Sequence, residues 1–460
     1  MPRVISWAVM LIGVVMLTGG SSARERSPSG PHSSGSVHAP FGNTAQPSQA
    51  SRPEAADPRI RLREGVNRED LDAEGQRTYD FIVNPTNPHS AGLPTPIGMW
   101  MYSPKMAQHI LPAYMYLRFG TQLEVRFKEI AILVTGRQLS SRTQWGTHET
   151  NALKVGVEPE VIDVIKYFRS PVGLGEKEAL IIRFGRELLG DKSVSPETFA
   201  YGLKIFGREK LTDLAGLMAF YDFLYLSSNV AFDLLSSETC PRLPVIEPSR
   251  TPPSGTTQAS SATLPRDIDQ GSRARLPIVE REDLDAEGRA LYDSVVNPNT
   301  PYSRGLPAPV GMWMHSPKMA QHILPAYMYL RYGNQFGPRL TELVILVAAR
   351  EINSQYEWTA HEPIAVKAGL EQEVIDVIKH RRSLDGLGEE EALISRFGRE
   401  LLGDRLVSAG TFADAQRVFG TVGVTDLAGL MALYNFLFLS SHVTFDVQMP
   451  ADWQPLLPMP

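Results

Sequence analysis

The chain has 460 residues, of which 43% are hydrophobic, so it is long enough for two or more domains with packed cores. Its 45 basic and 51 acidic residues give a formal net charge of −6. This balance excludes the basic footprint of a nucleic-acid-binding protein. The single cysteine, Cys240, excludes an internal disulfide and any chemistry that needs two thiols.

The amino-terminal residues 1–23 have the pattern of a secretory signal peptide. Arg3 precedes an apolar run from Val4 to Leu17, and small residues follow as far as Ala23. A positive start, an apolar centre and a small-residue end are typical of exported proteins, so we expect a periplasmic or secreted location. An uncleaved membrane anchor is the alternative, although the run is short for a span. No other membrane contact is expected.

Two segments, 24–59 and 236–275, are rich in Pro, Ser, Gly and Ala or Thr and have few large apolar residues. Such a composition cannot bury enough apolar surface to fold, which predicts a disordered tether and a disordered linker. Cys240 lies in the linker, where we interpret it as an incidental thiol.

The rest of the chain consists of two similar units, 60–235 and 276–460. Matching segments that begin Leu-Asp-Ala-Glu-Gly start at Leu71 and at Leu284, an offset of 213 (284−71). That period is far too long for a solenoid. The sequence therefore predicts two whole domains in tandem.

Each unit is expected to be helical almost throughout. Ser-Pro pairs at Ser103 and Ser316 are N-cap and first-turn signals, and Gly156 and Gly369 stand where helices are expected to stop. No stretch alternates apolar and polar residues between turn signals. We therefore predict an all-α fold of about six to eight helices per unit.

Polar residues at helical spacing occupy the stretch from Glu342 to Glu362. Ser354, Glu357 and His361 are three and then four residues apart, so on a helix they share one face. Glu342 stands at the start of an apolar run, where a carboxylate is costly to bury without a partner. His361 is the expected partner.

A helical hairpin would bring this pair together. Helices over about 342–352 and 354–362, the second ending before Pro363, would place Glu342 and His361 at similar distances from a turn near Asn353. The pair is 19 residues apart (361−342), and the first unit repeats the spacing. The matching residues there are Glu129, Ser141, Gln144 and His148.

This pattern resembles the carboxymuconolactone decarboxylase and alkyl hydroperoxidase D family, whose motif is a Glu followed by Cys-x-x-Cys-x-x-x-His. Glu342, Ser354, Glu357 and His361 map onto that motif. Both cysteine positions are substituted in both copies, as in the cysteine-free branch of the family. The resemblance implies the all-α fold of that family and assembly as a homo-oligomer, here a trimer of two-domain chains.

The resemblance also implies acid/base chemistry on a small organic acid or lactone. Its proton-transfer groups would be Glu342, Glu357, His361, Glu129 and His148. Possible substrate-binding residues are Ser354, Ser141, Gln144, Arg350 and Arg137, where an ion pair at the surface is the alternative for the two arginines. No cofactor is implied, and one histidine per motif does not make a convincing metal site.

Two other functions remain open at this point. The chain could descend from the peroxidase-type branch and lack its redox cysteines, or it could be a non-catalytic periplasmic binding or scaffold protein. If it is an enzyme, we expect the second unit to carry most of the turnover. Glu357 there can accept a proton, whereas Gln144 at the same place in the first unit cannot.

Overall fold

The computed structural model describes residues 66–232, 243–244 and 264–458, and within these ranges the chain forms helices and turns but no strand. The predicted all-α class is confirmed. The predicted signal peptide, the tether and Cys240 lie outside the described residues. The helices of the first half are α1 Ala73–Ile82, α2 Thr95–Gly98, α3 Pro104–Met115, α4 Val125–Gln138, α5 Arg142–Lys154, α6 Pro159–Lys166, α7 Glu176–Arg186 and α8 Pro196–Leu224.

The second half repeats this order. Its helices are α9 Ala286–Val295, α10 Ala308–Gly311, α11 Pro317–Met328, α12 Gly337–Glu351, α13 Gln355–Lys367, α14 Gln372–Lys379, α15 Glu389–Gly398 and α16 Ala409–Leu437. Short π-helical turns extend several of them, among them Tyr329–Gly333 after α11 and Phe438–Val443 after α16.

Helix boundaries largely follow the predicted capping residues. The hydroxyls of Ser103 and Ser316 accept hydrogen bonds from backbone amides in the first turns of α3 and α11, and a proline follows each serine. Gly156 and Gly369 have φ values of +83° and +90°, the left-handed conformation that ends a helix at little cost for glycine.

The predicted end of α13 before Pro363 is wrong, because the helix continues to Lys367. A proline removes only one hydrogen bond from the helix. The turn beyond it buries Ala365 completely in the core, and the Ala368 amide still bonds to the Ile364 carbonyl. Packing of this last turn therefore outweighs the missing bond.

The last part of the predicted disordered linker is ordered. Residues 264–275 lie along the carboxyl-terminal segment, where the Arg275 amide donates to the Phe445 carbonyl at 2.8 Å and the Gln448 amide to the Arg273 carbonyl at 2.8 Å. Backbone pairing anchors this segment, and composition carries no signal for such pairing.

The two longest helices, α8 and α16, each contain a break. Gly207 and Gly420 have φ values of 73° and 71° and ψ values of 171° and 175°, far from helical geometry. Each of these long helices is therefore two helical segments joined at a glycine.

Among the described residues, one helix is long and apolar enough to cross a membrane, namely α16 with its π-helical extension, Ala409–Val443. In this structure 89% of its most apolar window is buried inside the protein, as expected of a core helix.

The two halves pack against each other through reciprocal contacts. Ser103 of α3 donates to Asp426 of α16 at 2.6 Å, and Ser316 of α11 donates to Asp213 of α8 at 2.6 Å. The helix pairs α3 with α11 and α8 with α16 contact each other directly. Such reciprocity is what an approximate two-fold axis between similar units produces.

That axis can be located at one side-chain pair. Asp222 and Asn435 occupy the same position in the two halves, and the Asn435 amide donates to Asp222 Oδ2 at 3.0 Å. A residue that meets its own counterpart must lie at the axis. Arg405 donates to the other carboxylate oxygen of Asp222 at 2.8 Å, so both oxygens are bound from the second half.

Candidate functional site

Helices α12 and α13 form the predicted hairpin. Asn353 has a φ of 54° in the turn between them, and His361 Nδ1 lies 2.8 Å from Glu342 Oε2. Both side chains are buried, with 2% of Glu342 and 8% of His361 exposed. The partner expected for the buried carboxylate is therefore the histidine nineteen residues later.

An arginine that the motif does not contain completes the environment of this carboxylate. Arg331 lies in the π-helical turn Tyr329–Gly333 and donates to the second oxygen, Oε1, of Glu342. In the first half Arg118 donates to Glu129 in the same way. The only sequence signal for this contact is that the arginine recurs in both copies.

Glu357 lies between two histidines. Its Oε2 is 3.4 Å from His361 Nε2, and its Oε1 is 2.6 Å from His442 Nε2. His442 lies in the π-helical turn Phe438–Val443, 85 residues along the chain from Glu357. Sequence reasoning missed His442, although a buried carboxylate at position 357 requires a second partner.

Aromatic side chains enclose the cluster. The Tyr434 hydroxyl lies 3.4 Å from His361 Nε2, and the two rings meet edge to face. Tyr356 packs on the His442 ring at 4.8 Å between ring centres, and Trp453 packs on Tyr356 at 5.2 Å. The polar side chains of the cluster therefore lie in a largely water-excluded environment, which strengthens their electrostatic interactions.

The charges of these neighbours set the pKa values. Burial alone would lower the pKa of His361, but its hydrogen bonds to Glu342 and Glu357 outweigh that effect and raise it above the ordinary value. Burial would raise the pKa of Glu357, and its bonds to His361 and His442 outweigh that effect and lower it. A histidine held in this way can carry a proton at neutral pH and donate it.

The first half keeps the Arg-Glu-His contacts but lacks the second carboxylate and the second histidine. His148 Nδ1 lies 2.7 Å from Glu129 Oε2, but burial lowers the pKa of His148 and the carboxylate only partly offsets this. Gln144 donates to the Tyr221 carbonyl at 3.0 Å. Gln144 Oε1 and both polar side-chain atoms of Asn229, which replaces His442, are buried without a hydrogen-bond partner among the described residues.

The two serines predicted to bind substrate are helix caps in this structure. Ser354 Oγ accepts from the Glu357 amide at 3.3 Å, and Ser141 Oγ accepts from the Gln144 amide at 3.4 Å. Each serine is only 3% exposed. In this structure these hydroxyls cap the first turns of α13 and α5, and thereby hold the backbone of Glu357 and of Gln144 in place.

The two arginines expected to meet a substrate carboxylate lie away from the cluster. Each comes eight residues after the motif glutamate, about 12 Å farther along the helix at about 1.5 Å per residue. Arg350 donates to Asn353 Oδ1 at 3.1 Å and to the Pro458 carbonyl, and Arg137 donates to the Lys166 carbonyl at 2.7 Å. Both are buried and tie surrounding segments to the hairpin turns rather than forming the alternative surface ion pair.

Comparison of the chain with protein-family models, with curated proteins and with solved structures gives no match. Within the described ranges, no three or more His, Cys, Asp or Glu side chains are arranged to hold a metal ion. What the site can do follows from its own chemistry, which is that of a buried imidazole between two carboxylates.

Proposed function

We propose that the chain is a tandem enzyme of the carboxymuconolactone decarboxylase type, in which His361 is a general acid acting on a small organic acid or lactone. The observation that supports this most directly is the position of the His361 imidazole between Glu342, at 2.8 Å, and Glu357, at 3.4 Å. Glu342 orients the ring through Nδ1, and both carboxylates favour the imidazolium form, which is the acid required near neutral pH.

The proposed reaction uses that proton directly. In a lactone acid, the bond between the carboxylate carbon and its neighbour breaks, carbon dioxide leaves, and the electron pair stays on the substrate as a dienolate. His361 Nε2 then donates its proton to the dienolate carbon and becomes neutral. The proposal needs no metal or cofactor, because the substrate itself accepts the electron pair.

We further propose that this chemistry takes place outside the cytoplasm in a homo-oligomer. The composition of residues 1–23 supports export, and the family resemblance supports assembly of three two-domain chains.

The test is turnover by the purified full chain on a panel of lactone acids and small carboxylic acids. Carbon dioxide release, and deuterium incorporation at the substrate carbon when the reaction runs in D₂O, would support the proposal. Turnover of an organic hydroperoxide with a dithiol would point instead to the peroxidase-type branch. Saturable binding of panel members without turnover would overturn the enzymatic proposal in favour of a binding protein.

A further inference from the structure

The two sites differ in the number of protons they need for electrical neutrality. In the second site one buried cation, Arg331, faces two buried carboxylates, those of Glu342 and Glu357. With both histidines neutral, this cluster would carry a net charge of −1, and an unbalanced buried charge is strongly unfavourable. One histidine proton restores neutrality.

The first site needs no such proton. Arg118 and Glu129 already balance each other, and Gln144 is neutral. Lys128, beside this site, interacts with Glu129 and adds positive charge. The corresponding residue in the second half is Thr341, which has no charge. The extra proton is therefore a property of the second half alone.

Hydrogen-bond geometry indicates where the extra proton resides. His361 has a carboxylate oxygen facing each ring nitrogen, so both nitrogens can donate only when the ring is an imidazolium. His442 needs a single proton, on Nε2, to donate to Glu357 Oε1 at 2.6 Å. These contacts favour His361 as the resident cation, although the Tyr434 hydroxyl also lies 3.4 Å from Nε2, and His442 retains one ring nitrogen that can accept another proton.

Neighbouring tyrosines do not alter this count. Tyr434 faces His361 and Tyr356 packs on His442, and burial raises the pKa of both phenols, so they stay neutral. Among the described residues, the charged groups that contact the two histidines or their carboxylates are Arg331, Glu342 and Glu357.

We propose that His361 and His442 form a proton store coupled through Glu357. When His361 gives its proton to a substrate, His442 takes up one proton from water and the buried cluster returns to neutrality. The proton taken up resides on His442 Nδ1, and the proton on His442 Nε2 passes to Glu357 Oε1, from where the turning carboxyl group delivers it to His361 Nε2. His442 is left neutral with its proton on Nδ1, and exchange of protons with water restores the form that donates from Nε2. His442 acts through Glu357 and is a proton-relay residue rather than a group that touches substrate. The transfer of this proton to a substrate rests on the proposed function, whereas the proton store itself does not.

The test is a titration of the ¹⁵N-labelled histidine rings by NMR, which needs no substrate. At about pH 7.5 the wild-type chain should show both nitrogens of His361 protonated and only one of His148. Glu357→Gln, which copies the first half, should make His361 neutral at that pH. The double variant Lys128→Thr/Gln144→Glu is the matched control, because it copies Thr341 and Glu357 into the first half, and it should convert His148 to an imidazolium. A His361 ring that stays protonated in Glu357→Gln would overturn the proposal.

A second variant tests the role of His442 separately. His442→Asn, which copies Asn229, leaves the charge count satisfied by His361 but removes the second acceptor. The wild-type pair should titrate in two coupled steps and the variant in one, with the His361 pKa higher by about one unit because the competing imidazole is gone. A His361 pKa that agrees within about 0.2 unit between the wild-type chain and His442→Asn would refute the coupling.

Loss of folding and loss of function are distinguished by separate measurements. Circular dichroism checks each variant, and if Glu357→Gln does not fold, Lys128→Thr/Gln144→Glu carries the charge test in the other half. Two-step titration without turnover on any panel substrate would leave the proton store standing and refute the proposed enzyme. Turnover of a panel substrate together with a single, uncoupled titration of His361 would support the proposed enzyme and refute the proton store.

Discussion

His361 and His148 occupy the same position in the two halves, yet their surroundings move their pKa values in opposite directions. The pKa of His361 is raised and that of His148 is lowered, and each histidine has its motif glutamate within hydrogen-bond distance. The residue that differs is at the other side of the ring, where Glu357 replaces Gln144. Glu357 is one of the groups that raise the pKa of His361, whereas Gln144 has no charge with which to raise that of His148.

Alanine substitution of the two histidines should have unequal effects on turnover. We expect His361→Ala to lower kcat by about 100-fold or more, the usual contribution of a general acid, and His148→Ala to change it by less than about 3-fold. Steady-state rates on the best panel substrate measure both. Equal losses would show that the first half contributes as much chemistry as the second.

The sequence alone predicted the contact between Glu342 and His361 but not the other residues that surround them. The spacing of Glu342 and His361 predicted their contact because both lie on neighbouring helices joined by a short turn. Arg331, Tyr434 and His442 reach the site from other helices, and only tertiary packing decides which of their faces meet α13. A local pattern carries no information about those contacts.

At the scale of helices, the breaks in α8 and α16 depend on glycine. Gly420 has φ 71° and ψ 175°, a conformation that is essentially restricted to glycine. A Cβ atom there would meet nothing within 4 Å, so the cost of a side chain is backbone strain rather than a clash.

Gly420→Ala should therefore lower the free energy of unfolding by about 1 to 3 kcal/mol. Gly410→Ala is the matched control, because Gly410 lies in the first turn of the same helix and also has open space around its Cα. We expect that control to be neutral or to add up to about 1 kcal/mol. Urea unfolding of both variants makes the comparison, and equal destabilisation would show that the break is not strained.

Capping residues and glycines predicted most helix boundaries, because these signals act within one turn of the chain. The boundary at Pro363 was wrong because a local rule was applied where buried Ala365 decides the outcome. Order in residues 264–275 was missed for a similar reason, since partners about 170 residues away hold that segment, as when Arg275 donates to the Thr444 carbonyl.

At the scale of the whole molecule, two buried carboxylates join the halves and make stability depend on pH. Asp426 accepts from Ser103 and from Tyr329, and Asp213 accepts from Ser316 and from Tyr116. Burial raises the pKa of each carboxyl from 3.8 to about 6, despite these hydrogen bonds. The folded state therefore binds protons more tightly than the unfolded chain.

It follows that these two groups stabilise the fold as pH falls through about 6, and that this gain is lost as pH rises. Between about pH 7.5 and about pH 5.5 they should add about 1 to 2 kcal/mol to the free energy of unfolding. In the double variant Asp213→Asn/Asp426→Asn, each amide can still hydrogen-bond the two hydroxyls at its site. Because an amide does not titrate, the variant should lose the pH-dependent increment in the free energy of unfolding. Denaturant unfolding at the two pH values measures it, and an unchanged pH dependence in the variant would contradict the assignment.

Assembly of the chain is also testable at this scale. The family resemblance leads us to expect a trimer of chains at micromolar concentration, which light scattering would report as three times the chain mass. A strict monomer over that range would contradict the expectation.

The side-chain pair at the approximate two-fold axis has a consequence for partner choice. In a dimer of identical subunits a residue on the axis faces itself, so two copies of the first half would place two Asp222 carboxylates against each other, with Lys192 at the position of Arg405. Two copies of the second half would place amide against amide and leave Arg405 without the carboxylate that it binds here. Because the two halves are fused, the position could become an acid on one side and an amide on the other. Each half therefore supplies what the other lacks at this position, and a single covalent chain brings the acid and the amide together in one molecule.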